Sequence, residues 1–562
     1  MKPRPILLLL LLLYLSLALF QISLPGLHYD EAKEAGVNAM ELLTGQPVTA
    51  FRGATLHVGS WSLPLMVQDY IGAINVYLAL PFLKLTGIGV PNLRALSVLI
   101  GLLTLVAAER SLSTWVALHA QRHDRLHNQI HNRQNESVQP ERVPISLAGL
   151  LAVALLTASP SFLFWSRQGI FVTNIVQPLC FGTIWMSLAW LHNGRGRALL
   201  WAALWAGMAL YAKLIAIWVI GPFTLLLASW VWLNRSIIPN GSSLLRLGGT
   251  AGIVFALPLL PIMLFNLQSG GTFTALLTNA GESYYGVNNL DIGKNLLIRW
   301  VQLRQVLVGN QFWYLGGPFG NAVAPYIASV SLLLGLWMQW RQMMGWFLLT
   351  VGAFLMSLFT ISDLFVTHYA LLHPLLVCGV ALGLATLAAH RNLVVADKSR
   401  FLRLWDAIPI SIVACWLVFD LTATLRYHQA LNETGGLADH SDATYHLAYH
   451  LRYNGLGAPI VLDWGMDAPI RFLSQGTVRP IEIFGYDSPL APDEGFVERV
   501  GVFLDNPHNV YLLHASNATV FAGRREQFLA LAKERGLLAQ QEATFAQRNG
   551  IPLFELWRVQ AE

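Results

Sequence analysis

Eleven apolar runs of about membrane-spanning length fill the first 425 residues of this chain, and no soluble fold accommodates such a succession. A helix needs about 20 predominantly apolar residues to cross a bilayer. Runs of that length or slightly less lie at 5–24, 92–118, 144–160, 171–191, 198–212, 214–233, 247–267, 322–340, 345–361, 366–389 and 408–425. The composition agrees. Of 562 residues, 55% are hydrophobic and 12% charged, and a globular chain usually carries about 25% charged residues. A cytosolic enzyme, a disordered scaffold and a disulfide-built secreted module are excluded. Nucleic-acid binding is also excluded as a reading of the net charge of +5, because Lys and Arg between spanning helices mark orientation. Cys180, Cys378 and Cys415 all lie in apolar stretches, so there is no disulfide framework to read.

The start, MKPRPILLLLLLLYLSLALFQISLPG, has a basic lead and no small-x-small cleavage site, and reads as a first spanning helix with its N-terminus inside. The segment YIGAINVYLALPFLKLTG (70–87) is ambiguous, since Pro81 interrupts it and Lys84 lies within it. The positive-inside rule decides. If 70–87 does not span, the loops carrying Arg122, Arg125, Arg133 and Arg142, then Arg195 and Arg197, Arg235 and Arg246, Arg341, and Arg391 to Arg403 all fall inside. The segment 25–91 is then a long first outer loop with surface helices. The same parity places 268–320 and the C-terminal part outside a plasma membrane. From about 426 the composition changes. PIVLDW, VRPIEIFG, NVYLLH, ATFAQR and PLFELWRV read as strands, DATYHLAYHLRYN and RREQFLALAKERG as amphipathic helices. The expected fold is a polytopic α-helical membrane domain (1–425) followed by an extracytoplasmic α/β domain (426–562). That second domain should hold a mostly parallel sheet with a terminal hairpin.

The distribution of acids points to the chemistry. No Asp or Glu occurs from Arg142 to Gly281, yet Arg167 (SPSFLFWSRQG) and Lys213 (LYAKLIA) stand at helix ends in that stretch. A cation in a membrane is costly unless it reaches water or meets an anion. Either a snorkelling stem or an anionic ligand, such as a lipid phosphate, meets that condition. The acids concentrate in LHYDEAKEAGVNAMELLTG, as Asp30, Glu31, Glu34 and Glu41. Asp30 is of the type that caps a helix, here one running from Glu31 to Leu43 and stopped by Gly45. Capping and catalysis are compatible there, because a helix start holds a carboxylate rigidly.

These features, in order, resemble a family: DEA at the outer end of the first helix, the surface loop ending in YIGAINVYLALPFLKLTG, PNLRALS, SPSFLFWSRQG, GMALYAKLIA and THYALLHPLL. The chain looks like the polyprenyl-phosphate-sugar-dependent membrane glycosyltransferases of the GT-C superfamily. It is nearest the branch of protein O-mannosyltransferases and aminoarabinose transferases. The resemblance implies transfer of a sugar from a polyprenyl-phosphate donor to a lipid, glycan or protein acceptor at the outer face. It implies that Asp30, with Glu31 beside it, acts at the acceptor, and that Arg167 and Lys213 hold the donor phosphate. Two positions depart from the family pattern. Asn174 stands where relatives often have an acid, and His368 stands where they often have Arg before a helix-opening Tyr. The second would make phosphate binding depend on pH. The inventory suits the chemistry: one carboxylate to take the acceptor proton and cations to hold the departing phosphate. Inversion at the anomeric carbon follows if no second carboxylate forms a covalent intermediate. Asp30 and Glu31 are also of the type that holds a hard divalent cation, although no ligand set demands one.

Other features weigh less. His119, His123, His127 and His131 recur every fourth residue and read as a solvated helix extension before a metal site. His28 and His57 read as surface residues. Tyr284, Tyr285, Trp313 and Tyr314 read as an interfacial belt before a sugar platform. Asp463, Asp467 and Asp487 read as loop residues. A transporter or lipid flippase is the rival reading for the whole chain, and a membrane-anchored binding or assembly protein is a third. The absence of repeat symmetry and the outer acid cluster weigh against the rivals.

Overall fold

The computed structural model describes residues 3–131, 145–168, 173–233, 241–394 and 400–561. Parts of the basic loops that set the expected orientation, 132–144, 234–240 and 395–399, lie outside the described residues, as do the side chains of Asn174, His123, His127 and His131. Every apolar run contains a helix where described. Among the described residues, six helices are long and apolar enough to cross a membrane by length and composition: Val90–Gln121, Ile175–Asn193, Leu214–Leu233, Leu245–Ser269, Val366–Ala389 and Ile410–Thr434. Leu147–Ala158 and Pro160–Gln168, bent by 70°, make a seventh if they form one span. The runs at 322–340 and 345–361 are the halves of helix Ala324–Met356, which is broken at Gln339 (φ −137°, ψ 51°). Helices Pro3–Leu19 and Gly196–Ala212 are shorter, at 17 residues each. The chain is an integral, multi-pass membrane protein.

The ambiguous segment is helix Ile74–Thr86, of 13 residues. At 1.5 Å per residue it extends about 20 Å, short of the roughly 30 Å hydrocarbon core. Ahead of it lie two small antiparallel pairs, β1 (Thr55–Val58) with β2 (Trp61–Pro64), and β3 (Met66–Gln68) with β4 (Ile71–Gly72). Within the stretch read as the 268–320 loop there is a helix that the sequence patterns missed, Ile292–Val308, N-capped by Asp291.

The final membrane-type helix continues to Thr434, past the composition change at 426. Beyond it β5 (Ile460–Val461), β6 (Ile481–Glu482), β7 (Val510–His514), β8 (Leu537–Ala546) and β9 (Pro552–Ala561) form one sheet in the order β6-β5-β7-β9-β8. β6, β5 and β7 are parallel, and β9 and β8 add an antiparallel hairpin. All five residues of β7 are buried, as expected of a strand covered on both faces. Tyr511 and Leu513 face helices Phe496–Leu504 and Arg524–Glu534. Val510 and Leu512 face the core shared with the membrane part. The α/β unit is packed onto the segment 25–91, so closely that a Cβ on Gly36 would meet the Phe472 ring.

Candidate active site

The acid-rich segment folds as one helical rod: Tyr29–Glu31, a π-helical turn at Ala32–Gly36, and Val37–Thr44, stopped by Gly45 at φ 69°. π-turns inside helices recur at functional sites. The rod's cap differs from expectation. His28 is the N-cap, its Nδ1 accepting the Asp30 backbone N–H at 3.2 Å. Asp30 is therefore a first-turn residue, where a negative charge suits the helix dipole. Its side chain is 25% exposed.

Glu31 has a different fate. Arg94, fully buried, donates from Nε to Glu31 Oε1 at 2.6 Å and from Nη2 to Oε2 at 2.9 Å. Arg94 also donates to the carbonyls of Ile22 (3.0 Å), Pro25 (2.8 Å) and Gly26 (3.2 Å). Both Glu31 oxygens thus accept from the Arg94 guanidinium. Among the described residues no group of three His, Cys, Asp or Glu gathers as a metal site.

Arg167 and Lys213 meet different partners. Arg167 is wholly buried in the last turn of Pro160–Gln168. It donates to the carbonyls of Gln21 (2.6 Å) and Leu24 (3.2 Å) and contacts His428 Nδ1 at 3.4 Å. Arg94 and Arg167 together therefore clamp the turn 21–26 that launches the Asp30 rod. Lys213 lies elsewhere, between Gly196–Ala212 and the turn Leu214–Ala216, in extended conformation (φ −160°, ψ 129°). Its segment is zipped to β4: Leu214 N–H donates to Tyr70 O at 3.1 Å, and Ile71 bridges Lys213. Gly72 is required there, since a Cβ would collide with Tyr211. Lys213 is buried, with its ammonium 6.0 Å from the Tyr70 ring centroid and within the field of Glu34 and Asp30. The acids missing from its own sequence neighbourhood arrive from the first loop, and the burial rules out a snorkelling stem.

His368 belongs to the Lys213 side. Arg299, from the unforeseen helix, donates from Nη2 to His368 Nδ1 at 3.1 Å. It also donates from Nε to Ser357 O and from Nη1 to Phe365 O, each at 2.9 Å. A guanidinium only donates, so Nδ1 is the acceptor and the ring proton is on Nε2. Trp218 stands edge-on to His368 at 5.3 Å, and Tyr369 donates to Arg299 O. Glu34 is buried beside Lys213, and burial pushes its carboxyl up, with Asp30 adding and Lys213 opposing. Tyr285, 58% exposed, packs edge-on to Phe365 at 5.7 Å within the field of Asp30. Tyr284 donates to Tyr486 O of the α/β unit at 2.8 Å. Tyr314, by contrast, is buried and donates to Gln168 Oε1 at 2.9 Å, so the four aromatics do not form one belt.

Of the loop acids, Asp463 accepts the backbone N–H groups of Trp464, Val520 and Phe521 at 2.8–3.1 Å and lies 3.0 Å from His514 Nδ1. Asp467 pairs with Arg471 at 2.8 Å, and Arg471 reaches Glu41 at 3.7 Å across the interface with the rod. His119 bonds Trp115 O at 2.9 Å in a helix that continues to His131.

A multi-pass helical body, a structured loop after the first helix and a C-terminal sheet make up one membrane-type architecture. The fold is shared, over nearly the whole length, with ArnT from Cupriavidus metallidurans. The TM-score is 0.58 to the structure bound to undecaprenyl phosphate and 0.57 to the apo structure, at 11% identity, covering 98% of this chain and 97% of that one. No family model matches the sequence, and no curated protein matches it.

Proposed function

We propose that this protein transfers a sugar from a polyprenyl phosphate to an acceptor at the outer membrane face. The observation that carries the reading is a partly exposed carboxylate, Asp30, on a rod clamped by two buried arginines and set beside a buried lysine. In the proposed step the acceptor oxygen or nitrogen attacks the anomeric carbon, and the bond to the phosphate oxygen breaks. The phosphate leaves with the bonding pair, and Asp30 takes the acceptor proton. Lys213 Nζ and the His368 Nε2–H receive the phosphate. Arg299 acts behind His368, polarising the ring through Nδ1, so a neutral imidazole serves where a second cation would otherwise be needed. Arg167 and Glu31 are positioning residues in this reading. The resemblance to ArnT, one of whose structures holds undecaprenyl phosphate, supports a polyprenyl-phosphate donor. The decisive experiment incubates the purified protein in liposomes with a labelled polyprenyl-phosphate sugar. Glycosyl transfer is expected, and movement of the lipid across the bilayer without transfer would overturn the proposal.

Two further outcomes are expected. Lys213→Ala weakens binding of polyprenyl phosphate by about 2–5 kcal/mol, the range for removing one partner of a desolvated charge pair, as isothermal titration in detergent would read. Arg167→Ala leaves that affinity within about tenfold, because Arg167 binds backbone carbonyls instead. Equal losses in the two variants would restore a shared phosphate site. Orientation is tested by cysteine labelling from outside, which should reach introduced thiols near Gln68 and in the α/β unit but not at position 133.

A further inference from the structure

We propose that His440, from the chain just beyond the last membrane-type helix, is a positioning residue for the Asp30 carboxylate and acts through the ring of His28. The proposal rests on the reading of Asp30 as the base. The rings of His28 and His440 stack with centroids 4.4 Å apart and planes at 16°. The other face of His440 stacks on Tyr314 at 3.8 Å and 15°. Tyr314 is fixed in turn by its hydroxyl on Gln168 and by Leu437 N–H donating to its carbonyl at 2.8 Å. The column therefore ties four segments: the start of the rod, the chain after Thr434, the turn at Trp313–Leu315 and the helix that ends at Gln168.

The column bears on Asp30 because His28 meets that residue twice. Its Nδ1 accepts the Asp30 amide and lies 4.0 Å from the carboxylate Oδ2. Rotation of the His28 ring would remove the acceptor from the first turn and free the rod's start. Stacking against a ring whose other face is held by Tyr314 prevents that rotation. The backbone reinforces it. Gly26 N–H donates to His440 O at 2.7 Å, on the same turn that Arg94 and Arg167 clamp. Ala438, two residues before His440, is held at φ 50°, a left-handed conformation that costs a non-glycine residue energy and that packing must impose. Burial, with His28 and Arg94 alongside, keeps His440 well below the usual imidazole range, so the stack holds an uncharged central ring. The α/β unit is in this view a part of the catalytic apparatus, since its first residues set the angle of the base.

The test compares full-length wild type, His440→Ala and His440→Phe in detergent, by hydrogen exchange over residues 27–33 and by steady-state kinetics with a labelled polyprenyl-phosphate sugar. His440→Ala should exchange these amides about tenfold faster or more. Its kcat should fall on the order of 10- to 100-fold, as expected for a misplaced reacting group, with the donor KM unchanged. His440→Phe keeps the stacked face and should restore both. If His440→Ala is not recovered folded, His440→Leu, which fills the volume without a stacking face, takes its place with the same expectation. Unchanged exchange, an unchanged kcat, a loss in donor KM alone, or a Phe variant as impaired as Ala or Leu overturns the proposal. If the wild type transfers no sugar, the glycosyltransferase reading falls while the exchange comparison still decides whether His440 fixes the rod.

Discussion

Asn in place of Asp30 lowers turnover by about 10²–10⁴-fold, the usual contribution of a general base, and leaves the melting temperature nearly unchanged. The separation of the two effects is the test. Had Asp30 been the helix cap, Asn would retain both cap and activity, and Ala would lose stability. The structure gives the cap to His28, so the Asp30 side chain carries no capping bond for Ala to remove. What either substitution forfeits structurally is one favourable charge in a first turn, about 0.3–1 kcal/mol. Asn and Ala should therefore be equally inactive and equally folded. Lys213 keeps Glu34 as a neighbour in both variants, so polyprenyl phosphate should still bind. A fully active Asp30→Asn enzyme ends the claim that this carboxylate takes the proton.

Much of the fold was legible because two signals in this sequence are strong. Apolar runs in a chain so poor in charge form helices almost regardless of detail, since lipid offers no other partner for the backbone. The C-terminal strands and helices announce themselves by a return of period-2 and period-3.6 patterning, and the terminal hairpin was visible for the same reason. The helix at Ile292–Val308 was not. Its exposed face is apolar, with Leu296, Leu297 and Trp300 outward, while Asn295 and Arg299 are buried. Its amphipathicity is the inverse of the pattern for a water-facing loop helix.

The candidate site was legible in its acids and not in its pairings. Asp30 and Lys213 were each singled out by an unusual local setting, and His368 by its departure from the pattern of the family the chain resembles. Which cation meets which anion depends on contacts between segments far apart in the chain, and local spacing carries no record of those. Glu31 and Arg94 are 63 positions apart. One clue was present: an acid directly after a spanning helix and an arginine opening the next one each need a counter-ion in a poor solvent for charge. Arg167 and Lys213 looked equivalent for the opposite reason. Both are cations at helix ends, and only the fold shows that one faces carbonyls and the other carboxyls. His440 had no sequence signal, because its role lies in a stack of rings from three distant segments.

The Glu31–Arg94 pair supplies the largest expected change in stability. Arg94→Ala leaves a buried carboxylate without its cation, which typically costs about 3–5 kcal/mol, and it also strips three backbone carbonyls of a donor. Replacing both members by apolar residues of similar volume, Glu31→Leu with Arg94→Met, removes the uncompensated charge. In other proteins such swaps are often neutral or stabilising. Here recovery should be partial, since the carbonyls of Ile22 and Gly26 lose the Arg94 donor, Pro25 keeps only the Tyr445 hydroxyl, and each unsatisfied buried group costs about 1–3 kcal/mol. Activity should recover less than stability. Of the two arginines on the turn 21–26 only Arg167 would remain, through Gln21 and Leu24, and the rod carrying Asp30 would lose its second charged anchor. Thermal unfolding and kcat measured on the single and double variants resolve the two effects. A double variant that regains full stability and full turnover would reduce Arg94 to a counter-ion for Glu31. A stable double variant with low turnover would assign it the aiming of the base.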